Sequence, residues 1–291
     1  MTLAITGATG FVGSRVVFRH DGQARALARR PQQPRRLVWW VAGDLADPAA
    51  LARLCDGASA VIHIAGIVSA PDRATFDAGN VAGTAAMLAA AKAAGVDRFV
   101  HVSSLAAREP QLSMYGASKA AAEDLVSASD RDWVIVRPPG VYGPADREML
   151  DIYRLAARGL YIAPPGRISL LHVDDLAAAL LALAAGGPSR QVLEVDDGAT
   201  DGHSHPEFAG AIAAGLGRRV RTIPLPLAML HFAARIGLSA KLTRDRAAYI
   251  AHPDWVARGG NTALAGIWAP TFDLAAGVAD TVAGYRKRGW L

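Results

Sequence analysis

A doubly wound α/β fold built on a parallel sheet is what this sequence predicts, on three observations. Short apolar runs alternate with helical patterns through the first half of the chain. The first of these runs, Leu3-Ala4-Ile5, leads straight into a glycine-rich turn, Thr6-Gly7-Ala8-Thr9-Gly10-Phe11-Val12-Gly13. That turn opens an apolar helical pattern, Val12, Val16, Val17 and Phe18.

Taken in order, strands are expected at 2–6, 23–28, 37–42, 59–65, 97–103 and 132–137. Helices are expected at 11–20, 48–55, 74–94 and 114–128. The strand segments are bounded by glycine, aspartate and proline, which suits strands buried on both faces. Right-handed crossovers then bring the C-terminal ends of the strands to one edge, where such sheets bind ligands. The rhythm breaks at Pro138-Pro139-Gly140 and again at Pro164-Pro165-Gly166. Residues 169–172, 173–185 and 191–195 read as a returning strand, a helix and a last strand. From about Asp197 onward the chain is helical pieces separated by prolines and glycines. The expected domains are a core of 1–140 with 168–196, and a smaller C-terminal substrate lid of 141–167 with 197–291.

The composition fits this. With 291 residues, 52% hydrophobic and 20% charged, the chain is globular and can bury a large core. A single cysteine, Cys55, excludes an intramolecular disulfide and suits a reducing compartment. The first residues already read as strand, so no signal peptide is visible and the cytoplasm is the expected location. Leu176 to Ala185 is the most apolar helical stretch and is too short to span a bilayer, so no membrane is expected. The net charge of +5 comes from scattered arginines, with local clusters at Arg29-Arg30, Arg35-Arg36 and Arg218-Arg219-Arg221. No basic stripe is interleaved with aromatics, which argues against nucleic acid. An anionic small molecule accounts for the clusters more simply.

The glycine turn has the spacing G-x-x-G-x-x-G. Gly7 lets the chain turn sharply out of the strand, and Gly10 lets backbone N–H groups approach a pyrophosphate. Gly13 lets the helix pack closely on the sheet. The free N–H groups and positive dipole end of that helix then face phosphates. Thr9, Phe11 and Val12 complete this dinucleotide-binding turn.

A second constellation is Tyr115-Gly116-Ala117-Ser118-Lys119, which opens a helix shortly after the strand ending in Ser103-Ser104. Tyrosine and lysine four apart share a helix face. A free tyrosine, with a pKa of about 10, is a poor base at neutral pH. A nearby ammonium, with a positive nicotinamide ring, favours the phenolate and lowers that value. Ser104 can donate a hydrogen bond to a substrate oxygen.

With these motifs the chain resembles the extended short-chain dehydrogenase/reductase family, also called the NAD-dependent epimerase/dehydratase family. The resemblance runs nearly end to end. It adds Gly43-Asp44-Leu45, His63-Ile64-Ala65-Gly66, Asn80-Val81-Ala82-Gly83-Thr84 and Val102-Ser103-Ser104. It also includes Arg137-Pro138-Pro139-Gly140-Val141-Tyr142-Gly143-Pro144 and His172-Val173-Asp174-Asp175. The resemblance implies a Rossmann-type core with NAD or NADP across the strand ends. It implies Tyr115 as general acid/base, Lys119 as its pKa partner and a ribose ligand, and Ser104 as the holder of the substrate oxygen. Asp44 and Leu45 would lie against the adenine, and Ile64, Ala65, Gly66 and Val102 along the cofactor. Pro138 and Pro139 would flank the nicotinamide. Asn80 is expected either near the cofactor or as a tie between helix and sheet.

Other polar residues read as structural. Asp174-Asp175 suits the cap of the following helix, with His172 packed beside it. His203 and His205 have no third ligand in sequence reach, and Pro206 reads as a helix start, so no metal is expected.

NAD-selecting proteins place an acid at the end of the second strand. Here that segment reads Arg25-Ala26-Leu27-Ala28-Arg29-Arg30. Two arginines stand where a 2′-phosphate would lie, so NADP is favoured, with NAD possible.

Three classes of function follow from the resemblance. The preferred one is an NAD(P)-dependent oxidoreductase at a C=O/CH–OH centre. The alternatives are a nucleotide-sugar epimerase with tightly held NAD and a non-catalytic nucleotide-binding assembly or sensor protein. Sugar-nucleotide dehydratases of the family usually carry Thr-Asp-Glu where this chain has Ser104-Leu105-Ala106. Many of its sugar epimerases have asparagine at the segment of Gly140. The Arg-Pro-Pro-Gly-Val-Tyr-Gly-Pro run is similar to the 3β-hydroxysteroid dehydrogenase-like branch. The apolar lid segment Pro224-Leu225-Pro226-Leu227-Ala228-Met229-Leu230 mildly favours a hydrophobic substrate. The family's habit also suggests a possible homodimer through helices 74–94 and 114–128, whose alanines permit close approach.

Overall fold

In the computed structural model, residues 1–236 and 244–291 are described; the intervening stretch, inside the expected lid, lies outside the described residues. The strands of the first half are β1 (Thr2–Thr6), β2 (Gln23–Ala28), β3 (Val38–Ala42), β4 (Ala60–His63), β5 (Arg98–Val102) and β6 (Asp132–Arg137). Next come β7 (Gly140–Tyr142), β8 (Leu160–Ala163), β9 (Arg167–Ile168), β10 (Leu170–His172) and β11 (Gln191–Glu194). The last are β12 (His203–Ser204), β13 (Arg221–Pro224) and β14 (Asp254–Trp255).

The helices of the first half are α1 (Phe11–Arg19), α2 (Pro48–Cys55), α3 (Arg73–Phe76), α4 (Gly83–Ala93) and α5 (Met114–Ser127). A π-helical turn, Asp77–Ala82, joins α3 to α4, so the expected single helix at 74–94 is one rod with a wider turn inside it. Then follow α6 (Leu150–Ala157), α7 (Val173–Ala185), α8 (His205–Leu216), α9 (Leu227–Arg235), α10 (Arg244–Ala251), α11 (Gly260–Ala263) and α12 (Leu274–Lys287).

A seven-stranded sheet has the order β3-β2-β1-β4-β5-β6-β11. Every pairing in it is parallel. This is the Rossmann-type doubly wound sheet. Its order reverses between β1 and β4, and the crevice at that switch point lies at the C-terminal ends of both strands. The glycine turn leaves β1 there, and Ile64-Ala65-Gly66 leaves β4 there.

Two compact units divide the chain. The first is Met1–Pro138 with Leu176–Val195 and Gly259–Ala269. The second is Pro139–Asp175 with Asp196–Arg258 and Pro270–Leu291. Two segments group otherwise than the sequence suggests. Residues 168–175 join the second unit because β10 pairs with β7. Residues 259–269 join the first because Gly260 packs on the backbone of Glu194, where an added Cβ would meet the Glu194 carbonyl oxygen at 2.1 Å.

Each unit has its own core. In the first, Leu51 and Leu54 of α2, Met87 of α4, Phe99 of β5 and Trp133 of β6 form one apolar cluster. In the second, Tyr153 of α6, Phe208 of α8 and Tyr285 of α12 pack edge to face.

The sheet of the first unit also carries a buried polar row. Thr6, His63 and His101 are lateral neighbours on β1, β4 and β5. Thr6 Oγ1 meets His63 Nδ1 at 2.7 Å, and His63 Nε2 meets Thr84 Oγ1 of α4 at 3.1 Å. His101 stacks on His63, with ring centroids 5.5 Å apart. Burial, reinforced by the charge of Lys119, pushes His63 down to about 3 and His101 well below its ordinary value.

Both imidazoles are therefore neutral when folded, while the unfolded chain protonates them below about pH 6.5. Stability is lost as pH falls through that value toward the folded value. For His63 the loss between pH 7 and pH 5 is about 2 kcal/mol. Urea unfolding at the two pH values should show a clear fall in midpoint at pH 5, reduced in His101→Phe. An unchanged midpoint in the unmutated chain contradicts neutral burial.

Candidate functional site

The glycine turn is shaped by contacts that no side chain would fit. Gly7 has φ +69°, and a Cβ there would lie 2.7 Å from the Ala65 nitrogen. A Cβ on Gly13 would lie 2.1 Å from the Gly7 carbonyl oxygen. The Gly10 N–H closes the turn onto that carbonyl at 2.9 Å. No side chain caps α1 at Gly10, and its first turn carries no acid. Thr9 and Gly10 are exposed and Phe11 and Val12 half-buried, so the helix N-terminus is open to an anion.

The segment after β4 lies against this turn. Ala65 N–H donates to Thr6 Oγ1 at 3.2 Å. Asn80, buried in the π-helical turn, holds the next residues from both sides. Its Oδ1 accepts from Ile67 N–H at 2.7 Å, and its Nδ2 donates to the Ile67 carbonyl at 3.0 Å and to Ser118 Oγ at 2.9 Å. Asn80 thus ties the 65–67 segment to α5. Gly66 stands between Asn80 and Lys119, since a Cβ there would meet Asn80 Oδ1 at 3.0 Å and Lys119 Nζ at 3.8 Å.

Arg29 and Arg30 directly follow β2, whose neighbour is β1, and both are exposed. Among the described residues neither guanidinium is held by another side chain. Asp44, also exposed, accepts Ala46 N–H at 2.9 Å in a local turn. Leu45 is half-buried and packs on the start of α4, 2.6 Å from where a Gly83 Cβ would stand. Pro138 closes the first unit with its carbonyl accepting Leu105 N–H at 2.9 Å, and Pro139 opens the second unit.

At the end of β5 three consecutive residues meet α5. The Val102 carbonyl accepts from Lys119 Nζ at 2.8 Å. Ser103 Oγ hydrogen-bonds the Glu123 carboxylate. Ser104 hydrogen-bonds Tyr115. Ser113 caps α5 by accepting Gly116 N–H at 2.9 Å, which fixes where the helix starts and hence where Tyr115 points. The Tyr115 ring also packs against Phe76, with centroids 6.1 Å apart.

The electrostatics differ from the expectation in one respect. Burial raises the Tyr115 phenol above its ordinary value, and the Ser104 hydrogen bond partly offsets this. Lys119 is not among the groups that shift it. The Lys119 ammonium is turned to the Val102 carbonyl, burial lowers it to about 8, and Glu123 opposes that fall. Its positive charge acts instead on His63 and His101.

Sequence reasoning missed the charged chain beyond Glu123. Arg137 of β6 grips the Glu123 carboxylate with Nη2 at 2.6 Å and Nε at 2.9 Å. Arg137 also reaches Glu194 of β11 at 3.4 Å, and Glu194 meets Arg108 at 3.2 Å. One signal was present: Glu123 continues the spacing of Tyr115 and Lys119 along one helix face.

The side chains read as structural also find partners in the second unit. Asp175 lies in the first turn of α7, with Asp174, and accepts from Thr271 Oγ1 at 2.6 Å and Phe272 N–H at 2.9 Å. His172 stacks on Phe272 at 3.9 Å. His203 pairs with Asp197 at 2.6 Å, and His205 Nδ1 with Tyr161 Oη at 2.8 Å. Pro206 lies in the first turn of α8, behind the Ser204–Glu207 capping box. Among the described residues no cluster of His, Cys, Asp and Glu is arranged to hold a metal, and no helix is long and apolar enough to cross a membrane.

Comparison with known proteins fits this arrangement. The sequence pattern of the NAD dependent epimerase/dehydratase family matches residues 3–195. The chain is 39% identical to a ceramide reductase of Caulobacter vibrioides over 99% of its own length and 96% of that protein's. The solved structure of gox2253 superposes with a TM-score of 0.81 at 23% identity, covering 100% of this chain and 99% of the other. MoeE5, solved with UDP-glucuronic acid and NAD, superposes with a TM-score of 0.75 at 23% identity, covering 99% of each chain. The chain belongs to the NAD dependent epimerase/dehydratase family, and is an NAD(P)-dependent enzyme of the extended short-chain dehydrogenase/reductase type.

Proposed function

We propose that this chain is an NADP-linked reductase of a ketone on a long-chain lipid of the ceramide class. The observation that carries the reaction type is the meeting of Ser104, Tyr115 and Lys119 at the end of β5. The substrate class rests on the near end-to-end similarity to a ceramide reductase. The apolar segment before and within α9 supports it, with Leu227, Met229 and Phe232 exposed in the second unit.

The residues present fit a dinucleotide. A turn packed too tightly at Gly7 and Gly13 for side chains, a helix N-terminus with no side-chain cap and two arginines that have no side-chain partner among the described residues fit a pyrophosphate and a further phosphate. When bound, the dinucleotide supplies the hydride. In the reductive direction Tyr115 gives its phenolic proton to the substrate oxygen, and Ser104 donates a hydrogen bond to that oxygen. A phenol kept protonated by burial suits that acid role. For the Lys119 ammonium to bear part of the negative charge left on Tyr115 it would have to turn from the Val102 carbonyl, since where it stands it does not shift the phenol.

Incubation with NADPH and an N-acyl 3-oxo sphingoid base should give the corresponding alcohol. Tyr115→Phe should lower turnover by roughly 10²–10⁴-fold with little change in dinucleotide affinity. Near-normal turnover in that variant removes Tyr115 from the mechanism.

The cofactor preference rests on Arg29 and Arg30 and on the lack of an acid at Ala28. Calorimetry should show NADP bound more tightly than NAD. Arg29→Ala with Arg30→Ala should narrow the gap about ten-fold, or roughly 1.4 kcal/mol. Tighter binding of NAD by the unmutated chain overturns the preference.

We also take the chain to form a two-fold dimer through α4 and α5. Ala82, Ala85, Ala89 and Ala93 form an exposed stripe, whereas Ala86 and Ala90 pack on the core of the first unit. The informative substitution is therefore Ala89→Glu, which should turn a dimer into a monomer by light scattering. A monomer mass for the unmutated chain refutes the dimer.

A further inference from the structure

Glu123 is buried on α5, four residues beyond Lys119 and eight beyond Tyr115, and nothing in the proposed proton transfer uses it. Its carboxylate is nonetheless held on all sides. Ser103 Oγ binds one oxygen, and Arg137 forks onto both. Behind Arg137 the chain runs through Glu194 to Arg108. Arg108 also lies 3.8 Å from Glu109, so the carboxylates of Glu109, Glu123 and Glu194 are matched by Arg108, Arg137 and the Lys119 ammonium, and loss of the Glu123 charge would leave the cluster positive.

The register matters as much as the charge. Residues 102, 103 and 104 at the end of β5 meet residues 119, 123 and 115 of α5, respectively. The Ser103–Glu123 contact is thus the middle fastener between the residue that holds Lys119 and the residue that holds Tyr115. Of the groups named around Lys119 among the described residues, Glu123 supplies the negative charge and the Val102 carbonyl the hydrogen bond. His63 of β4 and His101 of β5 are neutral imidazoles, Asn80 and Ser118 are uncharged, and Tyr115 is a phenol.

We infer that Glu123, clamped by Ser103 and Arg137, is a positioning residue that keeps the buried Lys119 ammonium protonated and seated at the Val102 carbonyl, one helical turn from Tyr115. The inference rests on the reading of Tyr115 and Lys119 as the proton-transfer pair, and its first test does not depend on turnover. Burial brings Lys119 down to about 8 with the Glu123 charge in place. Removing a negative charge makes every nearby acid stronger, so the Lys119 midpoint must fall further.

The test uses the full chain labelled with ¹³C-lysine, following the Lys119 Cε resonance against pH and assigning it by its absence in Lys119→Met. The expected midpoint is about 8 in the unmutated chain. Glu123→Gln, which keeps the shape and one acceptor oxygen but removes the charge and one Arg137 contact, should lower it by about one pH unit or more. Glu123→Asp keeps the charge one methylene further back and should give a smaller fall. It is the variant to read if Glu123→Gln folds poorly. A midpoint unmoved in the variant that folds overturns the inference. With the N-acyl 3-oxo sphingoid base as substrate, the alkaline limb of kcat should move down by the same amount in Glu123→Gln, with KM unchanged. A shifted Lys119 midpoint with an unshifted limb overturns the link to catalysis. Normal turnover in Tyr115→Phe, by contrast, strikes the proton-transfer reading itself and leaves the Lys119 titration standing.

Discussion

An ammonium buried at the end of a parallel strand sets the terms for the groups around it. Lys119 is 4% exposed, and such a charge is tolerated only where it is hydrogen-bonded and paired. The Val102 carbonyl supplies the hydrogen bond and Glu123 the opposing charge. That requirement explains why α5 must lie in one register on β5, and why Ser113 fixes the first turn of the helix. It also explains the neutral histidines beneath. An imidazolium at His63 or His101 would face the Lys119 charge in the low dielectric of the core.

Much of this was legible in the sequence because its parts are local. The turn between β1 and α1 is a run of adjacent residues whose glycines answer to steric needs within the turn. The Tyr115–Lys119 spacing is a property of one helix. The six strands of the first half fall where apolar runs meet turn residues. What could not be read depends on the order of strands. Arg137 and Glu194 are neighbours only because β6 pairs with β11, and Arg108 joins them from the turn after β5. Asp175, in the first turn of α7, also reaches Thr271 and Phe272, a contact between residues nearly a hundred positions apart. The alanines of α4 could not be sorted into core and surface from spacing alone, because nearly every face of that helix is small.

The same cluster bears on which reactions the site can host. Leu105 and Ala106 are buried directly after Ser104. Carboxylates in their place would need partners that this core does not offer, since Arg108 and Arg137 are already committed to Glu194 and Glu123. A site with one proton donor, one hydroxyl and one ammonium suits transfer to a single oxygen. Water elimination needs an additional acid and base.

The central claim is that the chain moves a hydride from the reduced dinucleotide to a lipid carbonyl carbon and leaves the product reduced. The direct measurement is mass spectrometry of the lipid after turnover with NADPH carrying deuterium at both C4 positions. The account predicts one deuterium per product, bound to the new carbinol carbon, with one NADP⁺ formed per alcohol. An unlabelled alcohol, or a lipid recovered without net consumption of NADPH, contradicts it.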